Sequence, residues 1–504
     1  MNKKRIIWAS VGIILIIIFA LLPKFFGNLA HEKIEQQAAT ISEMPGYALT
    51  ILEYDQGWFS SEALISYGLD QHTLEILEDS DDLDEADKFL LELFRHGARF
   101  RVNIAHGPVT FQNGIHFALL TLDSSLTEFE ADAYQAFHES AGVDSFLEGT
   151  AAVSYFGTLS ADVSSPAFTA EITPQKGPPA TVKSGGFTSH TEFNADQTHY
   201  DLEALLKSFS LEAGDTVFDL QNIAVTASGD RLNDYIWLGT GSSTMERISV
   251  TAPDGGTVTI EGVDSTYTTD KMTEQTLSFD LKLSTGGISV SSKAPVPNDV
   301  TFSDIKLDAV IRNMDVAGLT EYVKGLSELE MDITGDMEQD QAVFEQKKKE
   351  LISSAGLKLV LASPELEIRK LSLKFSDGNF AGVGLMNVNA EGLEKVDADL
   401  LPKILAQRLF LDSEVTFDQA LAEQFTILGM KQQMAATGID MSFMPPEQLQ
   451  QAVSVQTSLM LQAYVQQGLI TAGEEENTYQ SRLQIRDGQQ FINGRPIQLP
   501  QMPQ

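Results

Sequence analysis

The runs TVTIEGV (257–263), LSFDLKLS (277–284), GISVSS (287–292) and FSDIKLDAVI (302–311) decide the fold. Apolar and polar side chains alternate in them with a period of two, the spacing that puts one set on each face of a strand. Gly, Ser, Asp and Asn turns separate the runs, so they predict hairpins in an antiparallel sheet. The same pattern extends back through VFDLQNIAVTA (217–227), FTAEI (168–172), IHFALLTL (115–122) and RFRVNIA (99–105). It begins with YALTILEY (47–54), which a turn at Asp55-Gln56-Gly57 closes. Pro174 to Gly186, PQKGPPATVKSGG, is rich in proline and glycine and predicts a loop or hinge.

Helical spacing appears elsewhere. Residues 28–44 suit a helix that stops before Pro45-Gly46, and 78–95 suit one whose acidic start favours the positive end of the helix dipole. Val316 to Leu329, Glu338 to Ala355 and Phe417 to Ala436 are predicted helices. Another starts after Pro445-Pro446, with Leu449, Ala452, Val453, Leu459, Met460, Ala463 and Tyr464 at helical intervals. LKLVLAS (357–363) and LEIRKLSLKFS (366–376) predict a hairpin around Ser363-Pro364, and Thr478 to Ile497 a closing hairpin that turns at Asp487-Gly488. No repeat of 20–50 residues is present, so solenoid and propeller classes have no support.

Ile6 to Leu22, IIWASVGIILIIIFALL, carries no charge. As a helix it would extend roughly 26 Å, close to a hydrocarbon core. Lys3, Lys4 and Arg5 precede it and Lys24 follows. The excess of cations on the leading side predicts a transmembrane helix with a cytoplasmic N-terminus and everything after Pro23 outside. The length of the run, and the absence of an A-x-A site after it, disfavour a cleaved signal peptide.

Composition narrows the function classes. The 504 residues include 71 acidic and 34 basic side chains, a formal net charge of -37. Such a surface repels phosphate backbones and anionic headgroups, so nucleic acid is not an expected partner. There is no cysteine, which removes disulfides, thiolate zinc sites and a cysteine nucleophile.

Three patterns invite a chemical reading. Arg95-His96-Gly97-Ala98-Arg99 resembles the R-H-G-x-R signature of histidine phosphatases, in which the histidine carries phosphate and the arginines clamp it. Arg101 replaces the usual proline, and no histidine lies beyond His199 to act as a second catalytic group. The plain alternative is that Arg95, Arg99 and Arg101 balance the neighbouring acids. His96, His106 and His116 recur every ten residues and could meet on a hairpin at one metal, although their local phases differ. Asp79 to Asp87 misses the calcium-loop template, with Asp84 where glycine is needed and Leu90 where glutamate is needed. We therefore assign no catalytic, metal-binding or cofactor-binding residues.

Four stretches carry a resemblance to a family. They are Tyr54-Asp55-Gln56-Gly57-Trp58-Phe59-Ser60-Ser61, Ala105-His106-Gly107-Pro108-Val109, Ser363-Pro364-Glu365-Leu366 and Phe491-Ile492-Asn493-Gly494-Arg495-Pro496-Ile497. With the N-terminal apolar run they resemble the YdgA/YihF-like proteins of Gram-negative bacteria. The resemblance implies an inner-membrane anchor and a periplasmic domain, and no established activity, cofactor or catalytic residue.

The expected fold class is strand-rich α+β: an N-terminal transmembrane helix, then a large curved antiparallel sheet, with helices mainly in the C-terminal third. The expected division is a tail and anchor at 1–24, a strand-rich periplasmic region at 25–310 and a mixed region at 311–504, with 28–504 as one continuous domain the alternative. The expected function is a membrane-anchored scaffold or interaction module of the cell envelope, with the membrane and an envelope protein or lipid as partners. Binding or transfer of a hydrophobic ligand along a sheet groove is the alternative, and a hydrolase built on the R-H-G-x-R motif the second.

Overall fold

The computed structural model describes residues 23–32, 35, 38, 47–71, 74, 91, 97–111, 114–128, 132–172, 179–253, 255–292, 298–329, 337–393, 401–437 and 446–497. Its residues divide between two compact units. The first holds the described residues up to Ala213 together with Ile223–Leu232 and Ser327–Glu345; the second holds Gly214–Asn222, Asn233–Leu326 and the described residues from Gln346 on.

The first unit is a sheet of β1 (Tyr47–Gln56), β2 (Ser60–Leu69), β3 (Ala98–His106), β4 (Leu120–Glu128), β5 (Glu148–Val153), β6 (Leu159–Ser165), β7 (Phe168–Ile172), β8 (Ala180–Ser184), β9 (Phe187–Phe193) and β10 (His199–Ala213). Strands β1 to β6 pair each with the next, and every pairing is antiparallel. Strand β9 joins β6 to β10. Ser165 opposes Phe187 and Phe168 opposes Ser184, so β6–β7 and β8–β9 are two long strands, each kinked once, at Pro166 and at Gly185-Gly186. The segment predicted as a loop over Pro174 to Gly186 is thus partly strand: Val182 is buried and the run pairs with β7 and β10. Residues 174–178 of that segment lie outside the described residues.

The helical residues 23–32 pack on this sheet, with Ala30 buried against Ala63, Val102 and Ile104. The expected transmembrane helix is corrected here. No helix among the described residues is long and apolar enough to cross a membrane. The helix that follows Pro23 carries Lys24, Asn28, His31 and Glu32 and lays its small apolar face on the strands. Ile6 to Leu22 lie outside the described residues, as does nearly all of the acid-started segment 78–95.

The second unit is built from β11 (Thr216–Arg231, shared with the first), β12 (Trp237–Thr251), β13 (Thr257–Lys271), β14 (Thr276–Ser292), β15 (Asn298–Asp315), β16 (Glu365–Phe375), β17 (Gly378–Val388), β18 (Leu409–Asp418), β19 (Thr471–Ala472), β20 (Thr478–Arg486), β21 (Gln489–Ile492) and β22 (Arg495–Ile497). From β12 to β18 each strand pairs antiparallel with the next, and β18 continues to β20, β21 and β22. The strands from β12 to β15 run 15–18 residues without a break, far longer than the usual five or six.

A crease crosses these long strands. Asn222, Gly262 and Asp304 adopt left-handed backbone, with φ of 53°, 59° and 49°. Asn222 Nδ2 donates to Glu246 Oε2 at 3.2 Å, and the β12–β13 and β14–β15 ladders step over Glu246/Gly262 and Gly286/Asp304 at that level. Glycine and short polar residues tolerate this conformation, and interrupting the pleat in register on neighbouring strands bends a sheet that would otherwise stay evenly pleated.

Helices gather after residue 315, at Val316–Leu329, Met337–Leu351, Leu401–Arg408, Gln419–Thr437 and Pro446–Gln467. LKLVLAS differs from expectation. Met337–Leu351 continues through a π-turn at Ile352–Gly356 into helix at Leu357–Leu361. The hairpin is instead β16–β17, turning at Ser376-Asp377. A short apolar run has no period of its own, and here the preceding helix decides its conformation.

Candidate functional site

Register turns the alternating runs of the second unit into a surface. Val250, Val258, Val290 and Val300 stand opposite one another on β12 to β15, and Ile248, Ile260, Ile288 and Phe302 form the next row two residues away. Residues two apart on a strand share a face, so the rows form one apolar patch across four strands, about 15 Å wide at the usual strand spacing of about 4.8 Å. The alternate residues Ser249, Thr259, Ser289 and Thr301 line the other face. At β16 the second row is closed over: Phe302 stacks on Phe375 at 4.8 Å, and Phe375 meets Phe425 of the helix Gln419–Thr437 at 5.2 Å. Towards β12 it is open. Val250 is 41% exposed, Val258 42% and Val290 36%. One exposed valine means little, but three in register on neighbouring strands, backed by three isoleucines, are a contiguous apolar surface.

A second concentration lies at one end of the first unit's sheet. The β1–β2 turn, the β3–β4 loop and the β5–β6 turn share that end because the strands between them are antiparallel. At its centre His106, 2% exposed, holds Ser61 on β2 and the β1–β2 turn together. The Trp58 carbonyl, 3.4 Å from Nδ1, can only accept, so Nδ1–H donates to it and Nε2 accepts the Ser61 hydroxyl at 3.0 Å. Burial pushes the imidazole below its ordinary pKa, against a smaller opposing effect of the Trp58 carbonyl. A hydroxyl on Nε2 is the first half of a nucleophile–base pair. The group on Nδ1, however, is a main-chain carbonyl, which orients the ring but stabilises an imidazolium less than a carboxylate would. The ring also packs against Gly27, where a Cβ would lie 2.4 Å from Cε1. The chemistry this arrangement supports is a buried clamp.

Two of the four family-like stretches meet at this clamp, through Trp58, Ser61 and His106. Of the phosphatase-like motif, Arg95 and His96 lie outside the described residues, Gly97 turns the chain with φ of 70°, and Ala98 begins β3. The motif therefore precedes a strand here. Arg101 sits 3.5 Å from Glu62 on β2; the acidic cluster at 78–87 that the charge-balancing alternative names lies outside the described residues. His116 is exposed in the β3–β4 loop, bridged through its backbone to Thr110. Among the described residues no group of three or more His, Asp or Glu side chains is placed to hold a metal.

Sequence reading missed two sets of residues. His190 pairs with Asp162 at 2.7 Å and His199 with Asp230 at 2.8 Å, and their carboxylates raise both imidazoles. Cross-strand register brings the first pair together, and register is not legible from spacing alone. The other set is aromatic: Phe111, Phe117, Tyr155 and Phe156 join Trp58 and Phe59 at the sheet end, all exposed. Phe117 lies in the run read as a strand over 115–122, whereas β4 begins only at Leu120, so its place in the loop was not legible.

Residues 1–500 match the model of a family described as "Bacterial protein of unknown function (DUF945)". No curated protein matches the chain, and no solved structure does.

Proposed function

We propose that this chain, which belongs to the DUF945 family of bacterial proteins, is an interaction scaffold of the bacterial cell envelope whose second unit docks a partner on the open Val–Ile face of β12 to β15. The four stretches resemble the YdgA/YihF-like proteins, and that likeness supports a periplasmic home. The acidic surface argues against nucleic acid as the partner.

The observation that carries the reading is the contrast across one face. Phe375, which stacks on Phe302, is buried under Phe425 of a helix of this chain, whereas Val258 and Val290, on the same face, are left to solvent. An apolar surface this ordered gains by being covered, at roughly 25 cal/mol per Å², and a partner that adds an apolar element where the helix stops fits it.

A photo-reactive side chain tests this. With benzophenone introduced at Val258 and cells irradiated, the expected product is a protein adduct of defined mass. The neighbouring position, Thr259 on the opposite face, should give none. A lipid adduct alone would favour the hydrophobic-ligand alternative. Equal or absent labelling at the two positions would overturn the proposal.

A further inference from the structure

We infer that the aromatic end of the first unit's sheet seats in the headgroup layer of a lipid bilayer. The inference is independent of the Val258 face, since it concerns another surface in another unit. Three neighbouring hairpin tips present Trp58 and Phe59, then Phe111, Ile115 and Phe117, then Tyr155 and Phe156. Phe111 is 75% exposed, Phe117 73% and Phe156 88%. Large aromatics standing this far into water are unusual for a turn in a soluble domain. Tryptophan and tyrosine are, however, the side chains that gather at a membrane–water boundary, and exposed phenylalanines beside them suit the apolar side of that layer.

The tips are held as one surface. The Tyr155 hydroxyl donates to the Pro108 carbonyl, His106 N donates to Phe59 O at 2.8 Å, and Leu119 N donates to Val153 O at 2.8 Å. The clamp of His106, Ser61 and Trp58 lies directly behind them.

The chain itself points to the occupant. The sequence before the described residues is uncharged from Ile6 to Leu22, and the residues that follow Pro23 touch this same end. Lys24 Nζ lies 5.7 Å from the Trp58 ring centre, Gly27 packs on His106, and Asn28 Oδ1 accepts from Gln56 Nε2 at 2.7 Å. The most apolar sequence of the chain thus enters the fold among its most exposed aromatics, beside a cation suited to lipid phosphate. A lipid surface accounts for all three together. A second copy of the chain would account for the aromatics but not for the entry point.

The chain has no cysteine, so a single introduced thiol reports one place. Full-length Phe117→Cys, Phe156→Cys and Glu139→Cys proteins would be spin-labelled and reconstituted in zwitterionic phosphatidylcholine vesicles. Glu139 lies in the connection between β4 and β5, at the opposite end of the sheet. Collision with oxygen relative to a water-soluble nickel chelate should rise several-fold at 117 and 156 over 139. Tip labels as open to the nickel chelate as 139 would overturn the inference. So would tip labels shielded from both reagents and broadened by a neighbouring spin, which would report pairing of copies, and so would failure of the protein to associate with the vesicles.

Discussion

His106 is the residue on which the first unit's aromatic end depends. Its neutral ring satisfies one buried hydroxyl and one carbonyl at once. His106→Leu keeps bulk but removes both of these hydrogen bonds, an expected loss of about 1–3 kcal/mol, readable as a lower urea midpoint. The pH dependence has a definite sign. The folded ring titrates below the ordinary value of 6.5, so between the two values the unfolded chain holds a proton that the folded chain refuses. The clamp's contribution is therefore complete above about pH 6.5 and declines as the pH falls below it. His190 and His199, raised by their carboxylates, act in the opposite sense, present at low pH and lost as the pH rises through their folded values, but both are exposed and weak. The difference in stability between parent and His106→Leu should shrink from pH 8 to pH 5. A difference that stays constant or grows would mean that the ring is not held neutral. Sequence displayed His106 within a turn-like stretch, but its partners lie 45 and 48 residues away, and only strand pairing brings them to it.

At the scale of elements, period and punctuation were good guides where an element makes its own case. The predicted helix at Phe417 to Ala436 is Gln419–Thr437, and the closing hairpin turns at Asp487-Gly488, both left-handed. Phe417 and Asp418 stay in β18 because Asp418 caps the helix: its carboxylate accepts from Leu421 N at 2.8 Å and from Asn379 N and Nδ2 at 3.0 and 2.7 Å. Asp418→Ala should cost about 1–2 kcal/mol, and Asp418→Asn should recover most of it; equal midpoints for the two variants would contradict the cap. Two glycines of this region separate backbone freedom from packing. A Cβ on Gly378 would lie 2.3 Å from the Leu421 backbone, whereas one on Gly429 meets nothing within 4 Å. Gly378→Ala should therefore destabilise, and Gly429→Ala, inside the helix, should stabilise by roughly 0.5–1 kcal/mol. Period failed at LKLVLAS, where a preceding helix overrode an apolar run, and at Ala180–Ser184, where pairing to β7 and β10 overrode glycine and proline nearby.

Over the whole molecule, the strand-rich antiparallel character was legible because alternation is a local property. The candidate surfaces were only half legible. Each valine of the Val250–Val258–Val290–Val300 row was visible as one beat of a period, but the row exists only through register, and the cover that begins at Phe375 comes from Phe425, on a helix far along the chain. The acidic excess, with a formal net charge of -37, opposes uncontrolled self-association through the two apolar surfaces. Both surfaces thus become sites rather than liabilities only if something covers them in the cell. Carbene footprinting compares the two conditions directly, by labelling intact cells and purified protein and reading Val258 and Val290 by peptide mass. The account predicts strong labelling of both valines in the purified protein and several-fold protection in cells, with Thr259 and Ser289 on the other face unchanged. Equal labelling of the valines in the two conditions would contradict it.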